Sequence, residues 1–446
     1  MLSEMLPRPP AISVAEFRQR RDALMAQLPE SAAVVLPGAG LMIRSRDSEF
    51  AFRQNSDFYY LTGIREPDAL LVLLPGRADG ESVVFCQDRD PTMEAWTGRR
   101  LGAAGVVTEH GIDQAFENAE RDEQLTALLA GRELLYLPLD NIDAVAVAEE
   151  ALNDAKAGLR RGRPALKGWL DISPLIHVMR LIKSDAEIAL LRHAALISAH
   201  AHLRAMRVSR PGLSEFQLQA ELEHEFVWQG ASGPAYSTIV GSGANACVLH
   251  YIENSALLSE EGLVLIDAGA EFELYAGDIT RTFPVSGRFS DAQRALYQVV
   301  LNAQQRAVSA VQPGATLTDI HQGVVHDLTT GLIELGLLEG DVQARIDDES
   351  YRRFYLHSTS HWLGLDVHDV GTYRLDEQTP RPLVAGMVLT VEPGLYIPSD
   401  EDIPDAFRGI GIRIEDNVVV TTEGHEVLTT DVPKEIADIE ALMAKK

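Results

Sequence analysis

The stretch Gly262–Val285, GLVLIDAGAEFELYAGDITRTFPV, carries Asp267 and Asp278 eleven residues apart on two apolar runs of strand character. Asp267 follows Val264-Leu265-Ile266 directly, so its carboxylate enters a buried, low-dielectric setting. A charge there is costly unless it is paired or binds a cation. One Asp beside Gly commonly caps a turn, but two on neighbouring strands favour a hard-cation site. The lettering then recurs. GLVLIDAG (262–269) matches GMVLTVEPG (386–394), which sets Glu392 near the place of Asp267. GDITRTF (277–283) is answered by GIRIEDNVVV (411–420), which sets Glu415 near that of Asp278.

Between the two pairs of acids lies YLHSTSHWLGLDVHD (355–369), where His357, His361 and His368 are three of the chain's 13 histidines. His357 and His361, four apart, could share a helical face as a zinc site. Ser, Thr and Gly surround them, however, and no Glu follows the first as in a HExxH motif. Four carboxylates with one or two histidines make an oxygen-rich site suited to manganese, cobalt or a similar divalent ion. Four acids over-charge a single ion, whereas two ions about 3.5 Å apart balance them. Such a pair activates a water and polarises a carbonyl, which points to hydrolysis of an amide or ester. The chain has no G-x-S-x-G, no Walker A sequence and no convincing G-x-G-x-x-G. The glycine loop Gly241-Ser242-Gly243-Ala244-Asn245 reads as a turn near the site.

The elements that must hold these residues form a duplicated order. Ser184-Asp185-Ala186-Glu187 is a capping box opening a helix to about Arg207, and Ser214 with Gln217 opens another to about Gln229. Strands are expected near 236–241, 247–252, 262–267, 272–276 and 279–285. Ser290-Asp291-Ala292-Gln293 caps the next helix, Pro313-Gly314 breaks it, and Thr316 with Asp319 starts a fourth. Two halves of this form would bring four carboxylates to one pseudo-twofold axis.

Upstream, a helix over 13–28 precedes strands Ala32–Leu36, Phe58–Thr62, Leu70–Leu74, Val83–Phe85 and Leu134–Leu139. Helical patterns fall at 91–103, 122–130 and 142–158. Alternating strands and helices indicate an α/β layer domain over 1–170, ending at a Gly/Pro/Arg linker around Arg161-Gly162-Arg163-Pro164. A second domain, 171–446, carries the acids. At 446 residues two domains are the default.

With 39 basic against 66 acidic residues, the net charge of -27 excludes nucleic acid as a natural partner. Cys86 and Cys247 are too few for a disulfide framework, which suits a reducing compartment. MLSEMLPRPP has neither a basic nor an apolar region of signal-peptide type. No window approaches the roughly 18 apolar residues of a membrane span. The cytoplasm is therefore the expected location, with no membrane partner.

The series Asp267, Asp278, His361, Glu392 and Glu415 resembles the five-ligand pattern of the pita-bread metallopeptidases, which include methionine aminopeptidase, prolidase and aminopeptidase P. The words SHWLGLDVHD, VEPGLY and GIGIRIED most resemble aminopeptidase P, and RSRDSEFAFRQNSDFYYLTG resembles that family's amino-terminal domain. The resemblance implies an α/β (α+β) architecture, with an amino-terminal α/β domain before a pita-bread catalytic domain built on an internal pseudo-twofold repeat. It also implies two divalent ions, usually manganese, with cobalt or zinc as alternatives. By analogy Asp278 and Glu415 bridge the ions, Asp267 completes one shell, and His361 with Glu392 hold the other ion. Glu392 is also implied as proton acceptor, His250 and His368 as substrate contacts that stabilise the tetrahedral intermediate, and His357 and Arg413 as residues lining or bracing the site.

Independently of the family, Arg413 lies two residues before Glu415, so a strand points both to one face. Tyr396 and Tyr236 are further substrate-site candidates, for which ordinary packing serves equally well. Family members commonly associate, here implying a homodimer or homotetramer, and Asp47 with the Arg53–Asp57 run could then reach a neighbouring subunit's cleft. The implied activity is an Xaa-Pro aminopeptidase acting on peptides with proline in second position. A prolidase would share the metal set but accept only dipeptides. A non-catalytic binding protein on this fold should show broken ligands, and this chain keeps all five.

Overall fold

The structure, a computed structural model, describes residues 5–158, 162 and 164–444. Arg161 and Arg163 of the expected linker lie outside the described residues. The chain divides into two compact units, Ile12–Arg180 and a larger one that joins the segment ending at Ala11 to the chain from Leu181 onward.

The smaller unit begins with α1 (Val14–Met25), whose Ser13 cap accepts the Glu16 amide at 3.2 Å. It continues through β1 (Ala32–Pro37), the hairpin β2 (Ile43–Ser45) and β3 (Ser48–Glu49), α2 (Ser56–Thr62), β4 (Leu70–Leu73) and β5 (Ser82–Cys86). Then come α3 (Pro91–Thr97), α4 (Gly102–His110), β6 (Gln114–Glu117), α5 (Arg121–Leu129), β7 (Leu134–Leu137), α6 (Ile142–Gly158), β8 (Gly168–Asp171) and α7 (Ser173–Leu181). Six of these strands make a mixed sheet in the order β6-β5-β4-β1-β7-β8, with β1 antiparallel to β4 and parallel to β7. β1, β4 and β5 are buried along their whole length, which explains their unbroken apolar runs.

Two expectations fail here. Phe58–Thr62 is helical, not a strand. Asn55 caps the Phe58 amide at 2.9 Å and Gly63 closes the turn in the left-handed region at φ 69°, so end signals override the β-prone aromatic run. The single helix expected over 91–103 is two, separated at Gly98, whose φ is 91°.

In the larger unit, α8 (Asp185–Val208) and α9 (Glu215–Trp228) start at the expected caps. Ser184 N reaches Glu187 Oε2 at 3.0 Å and Ser214 N reaches Gln217 Oε1 at 2.9 Å. Strands β9 (Gly233–Pro234), β10 (Ile239–Ser242), β11 (Leu263–Asp267), β12 (Ala270–Phe272), β13 (Tyr275–Ala276) and β14 (Thr280–Pro284) follow. The second half repeats the order with α10 (Asp291–Ala310), α11 (Leu317–Glu334) and the short α12 (Val342–Asp347). Then come β15 (Val388–Val391), β16 (Gly394–Tyr396), β17 (Gly411–Arg413), β18 (Asp416–Val420), β19 (His425–Val427) and α13 (Ile436–Met443).

The antiparallel pair β11–β14 is answered by β15–β18, each with two short strands between its members, so the duplicated words occupy equivalent strand pairs. The strand expected at 247–252 does not form. A 3₁₀ turn over Gly243–Cys247 leads instead into irregular chain. No helix among the described residues is long and apolar enough to cross a membrane.

Candidate metal centre and active site

Asp267 ends β11, and its two oxygens are held apart. Oδ1 accepts the Tyr236 hydroxyl at 2.6 Å and Oδ2 accepts Arg413 Nη2 at 2.6 Å. Asp278, just before β14, is 4 % exposed, and its Oδ1 lies 2.5 Å from the same Tyr236 hydroxyl. That hydroxyl has one proton for two carboxylates. Asn417 of β18 clamps the Asp278 backbone from across the repeat. Its Oδ1 accepts the Asp278 amide at 3.0 Å, and its Nδ2 donates to the Asp278 carbonyl.

Glu415, between β17 and β18, accepts Thr280 Oγ1 at 2.7 Å and is 1 % exposed. Glu392 directly follows β15, with its amide donating to the Thr359 carbonyl at 2.8 Å. Strand ends, with backbone ladders satisfied behind them, thus deliver all four acids.

His361 and His357 lie on irregular chain, not on one helical face. His361 Nδ1 is 2.9 Å from the Trp362 carbonyl, which assigns its proton to Nδ1. Nε2 then faces Asp278 Oδ2 at 3.4 Å and Glu392 Oε1 at 3.5 Å. Asp278, His361 and Glu415 each offer a ligand atom, all within 4.8 Å of one another. One guanidinium, Arg413, sits among four carboxylates. A cation between the lone pairs of His361 and the acids relieves this repulsion, so the donor set fits divalent ions.

Without an ion the groups respond by titration. Burial raises the Asp278 carboxyl; His361 opposes this, Asp267 reinforces it, and the direction stays upward. Glu415 is pushed well up by burial, then by Asp278 and Glu392. Burial pushes Glu392 up to about 7 against the pull of His361 and Arg413. Burial alone would lower His361, but Asp278 and Glu392 carry it up to about 9.

Around this cluster opens a cavity of about 790 Å³, lined by all five residues together with His250, His357, His368 and Arg413. His250 and His368 are exposed, and the His368 ring stands edge-on to His361 at 4.4 Å between centroids. His357 Nε2 is 2.8 Å from the Tyr396 hydroxyl, and Nδ1 is 2.8 Å from the Ser358 carbonyl. Burial, helped by Arg413, lowers His357 to about 3, so it stays neutral. Arg413 Nη1 donates to the same Tyr396 hydroxyl at 3.0 Å, which places Tyr396 behind the lining as a link between the two. Asp47 sits exposed in the turn of the β2–β3 hairpin and does not line the cavity.

Two contributors, Asn417 and His321, escaped sequence reasoning, and a third, Tyr236, was a candidate there on even terms with packing. Tyr236, for which packing had served equally well, reaches both aspartates. Asn417 carried one signal, a polar residue at the start of the apolar run DNVVV. His321 of α11 lines the cavity with Nδ1 2.8 Å from Thr359 Oγ1, and nothing around it in sequence marks it.

Metallopeptidase family M24 matches residues 189–422, and the aminopeptidase P amino-terminal domain matches residues 17–136. The Xaa-Pro aminopeptidase of Escherichia coli is 46% identical over 434 residues, covering 97% of this chain and 98% of that protein. Xaa-Pro aminopeptidase 3 of Homo sapiens is 33% identical over 449 residues, covering 98% of this chain and 87% of that protein. An aminopeptidase structure from Pseudomonas aeruginosa superposes with a TM-score of 0.96 at 48% identity, over 98% of this chain and 99% of that one. A zinc-substituted E. coli aminopeptidase P in complex with product gives 0.95 at 46% identity, over 98% of this chain and 99% of that one. With the paired acids on a duplicated pita-bread fold and relatives aligned along nearly their whole length, the chain belongs to metallopeptidase family M24, in its aminopeptidase P branch.

Proposed function

We infer that this metallopeptidase is an Xaa-Pro aminopeptidase, removing the first residue of peptides whose second residue is proline. The observation that carries this reading is the convergence of four carboxylates and His361 Nε2 on one cavity of about 790 Å³. Asp267, Asp278, His361, Glu392 and Glu415 would hold two divalent ions, with manganese as the ion of this reading and cobalt or zinc as substitutes. When bound, the ions supply Lewis acidity for the scissile carbonyl and for water.

The chain's own residues do the rest. A bond before proline is a tertiary amide whose nitrogen carries no hydrogen and leaves only once protonated. The Glu392 carboxyl, half-buried at the cavity wall, can take a proton from water and return one to that nitrogen. His250 and His368, on the open side of the cavity, donate hydrogen bonds to the carbonyl oxygen as it gains charge. Arg413 orients Asp267 and, through Tyr396, holds the neutral His357 in place.

The setting of this reading is a cytoplasmic homodimer or homotetramer, in which Asp47 could reach a neighbouring subunit's cleft. Turnover of Xaa-Pro-Yyy tripeptides against Xaa-Pro dipeptides tests it. Tripeptides are expected to be cleaved efficiently. Cleavage confined to dipeptides would identify a prolidase and overturn the reading.

A further inference from the structure

Glu215 is the first residue of α9, and its side chain is fully buried at 0 % exposure. Its carboxylate accepts five hydrogen bonds. Oε1 takes Ser242 N at 2.7 Å, Ser242 Oγ at 2.8 Å and Asn245 Nδ2 at 3.1 Å. Oε2 takes the Tyr251 hydroxyl at 2.9 Å and Ala256 N at 2.9 Å. These donors hold the irregular segment that carries His250 from both sides: Ser242 ends β10, Ala256 lies six residues past His250 on the same irregular chain, and Tyr251 is the next residue after His250. Burial alone would raise this carboxyl, but its hydrogen bonds hold it below the usual range, so it is an anion gripping neutral donors.

Gln219 and Glu223 follow at one-turn intervals on the same face of α9. Gln219 Oε1 accepts Asn254 Nδ2 at 2.9 Å, and Glu223 Oε1 accepts Thr238 Oγ1 at 3.2 Å. Asn254 stands in the left-handed region at φ 47°, and its Oδ1 accepts Val240 N at 2.9 Å. The loop is thus held by side chains of α9 together with a short backbone bridge between Ser214 and Leu257.

We propose that Glu215 is a positioning residue for the peptidase reaction, setting the place of His250 over the cavity through Ser242, Asn245, Tyr251 and Ala256. The proposal rests on the reading of His250 as a substrate contact. A mechanism acting through His250 predicts non-additive effects, because residues that work as one unit do not lose their contributions independently.

The test is a double-mutant cycle of Glu215→Gln with His250→Ala, read as kcat/KM on an Xaa-Pro-Yyy peptide with metal content measured on each protein. Glu215→Gln alone should lower kcat/KM by about 10–100-fold, the usual cost of removing an orienting partner, with metal content unchanged. In the His250→Ala background the same change should cost less than about twofold. Losses that multiply, or wild-type kcat/KM in Glu215→Gln, would overturn the proposal. If Glu215→Gln does not fold, Tyr251→Phe removes one of the five bonds and enters the same cycle with the same criteria. Wild-type activity of His250→Ala by itself would instead overturn the reading of His250, and the positioning role with it.

Discussion

Glu415 and Asp416 are consecutive, both 1 % exposed, and their carboxyl groups meet opposite surroundings. They stand where β18 begins, and alternate residues of a strand face opposite sides. Glu415 turns to the cavity, where Asp278 and Glu392 add to burial and push its carboxyl well up. Asp416 turns away and is saturated: Arg281 Nη2 and Thr429 Oγ1 reach Oδ1 at 2.7 Å each, and Gln304 Nε2 reaches Oδ2 at 2.7 Å beside Lys434 Nζ. Burial would raise Asp416, yet Arg281 and Lys434 hold it well below the usual carboxylate range. Arg281 Nη1 also donates to the Glu415 and Thr280 carbonyls, so the ion pair on one side holds the backbone of the acid on the other. Equal burial therefore says little about role. For these two neighbours, the ion pair with Arg281 and Lys434 makes Asp416 part of the fold's framework, whereas Glu415 faces other carboxyl groups across the cavity.

Removing each acid separates the two roles. Glu415→Ala should abolish peptidase turnover and release at least one ion, while the metal-free protein becomes no less stable, because a buried carboxylate without a cation has gone. Wild-type turnover with full metal content would break the comparison. Asp416→Ala should destabilise the fold by about 3–5 kcal/mol, since Arg281 is left buried without its partner. A urea midpoint unchanged from wild type would show that this pair holds nothing.

The smallest effect is one of pH. In the metal-free protein His361 sits at about 9, above its unfolded value, so between neutrality and pH 9 the folded state keeps a proton that the unfolded chain has released. Stability should then fall as pH rises from 7 to 9, by at most about 1.4 kcal/mol per unit. Histidines held low by burial, such as His202 at about 4, are neutral in both states there and do not mask it. Bound metal should remove this slope, whereas His361→Asn should reduce it and leave the part due to the raised Glu392 and Glu415 carboxyls. A slope unchanged in His361→Asn would show that the histidine contributes nothing to it.

Much of this site was legible because its chemistry constrains residue types. Carboxylates placed after apolar strand runs, Asp267 after Leu-Ile and Glu392 after Thr-Val, are costly enough to announce themselves, and duplication paired them. The GIRIE spacing put Arg413 beside Glu415. The illegible parts depend on distant contacts. Asn417 gripping Asp278 spans 139 positions, and no local pattern encodes it. Tyr236 looked like any core aromatic because its hydroxyl's partners come from β11 and the start of β14. Phe58–Thr62 misled because its β-prone residues outweighed two end signals, Asn55 and Gly63. The loop after β10 misled because much of its hydrogen bonding goes to side chains of α9 and not to a strand ladder.

The most direct measurement strips the protein with a chelator, returns Mn²⁺ stepwise, and follows Xaa-Pro-Yyy cleavage in wild type and Asp278→Ala. The account predicts no turnover in the stripped wild type, recovery complete at two equivalents, and none in Asp278→Ala, which should bind fewer than two ions. Full turnover of stripped protein, or an Asp278→Ala protein with two ions and wild-type rate, would contradict it.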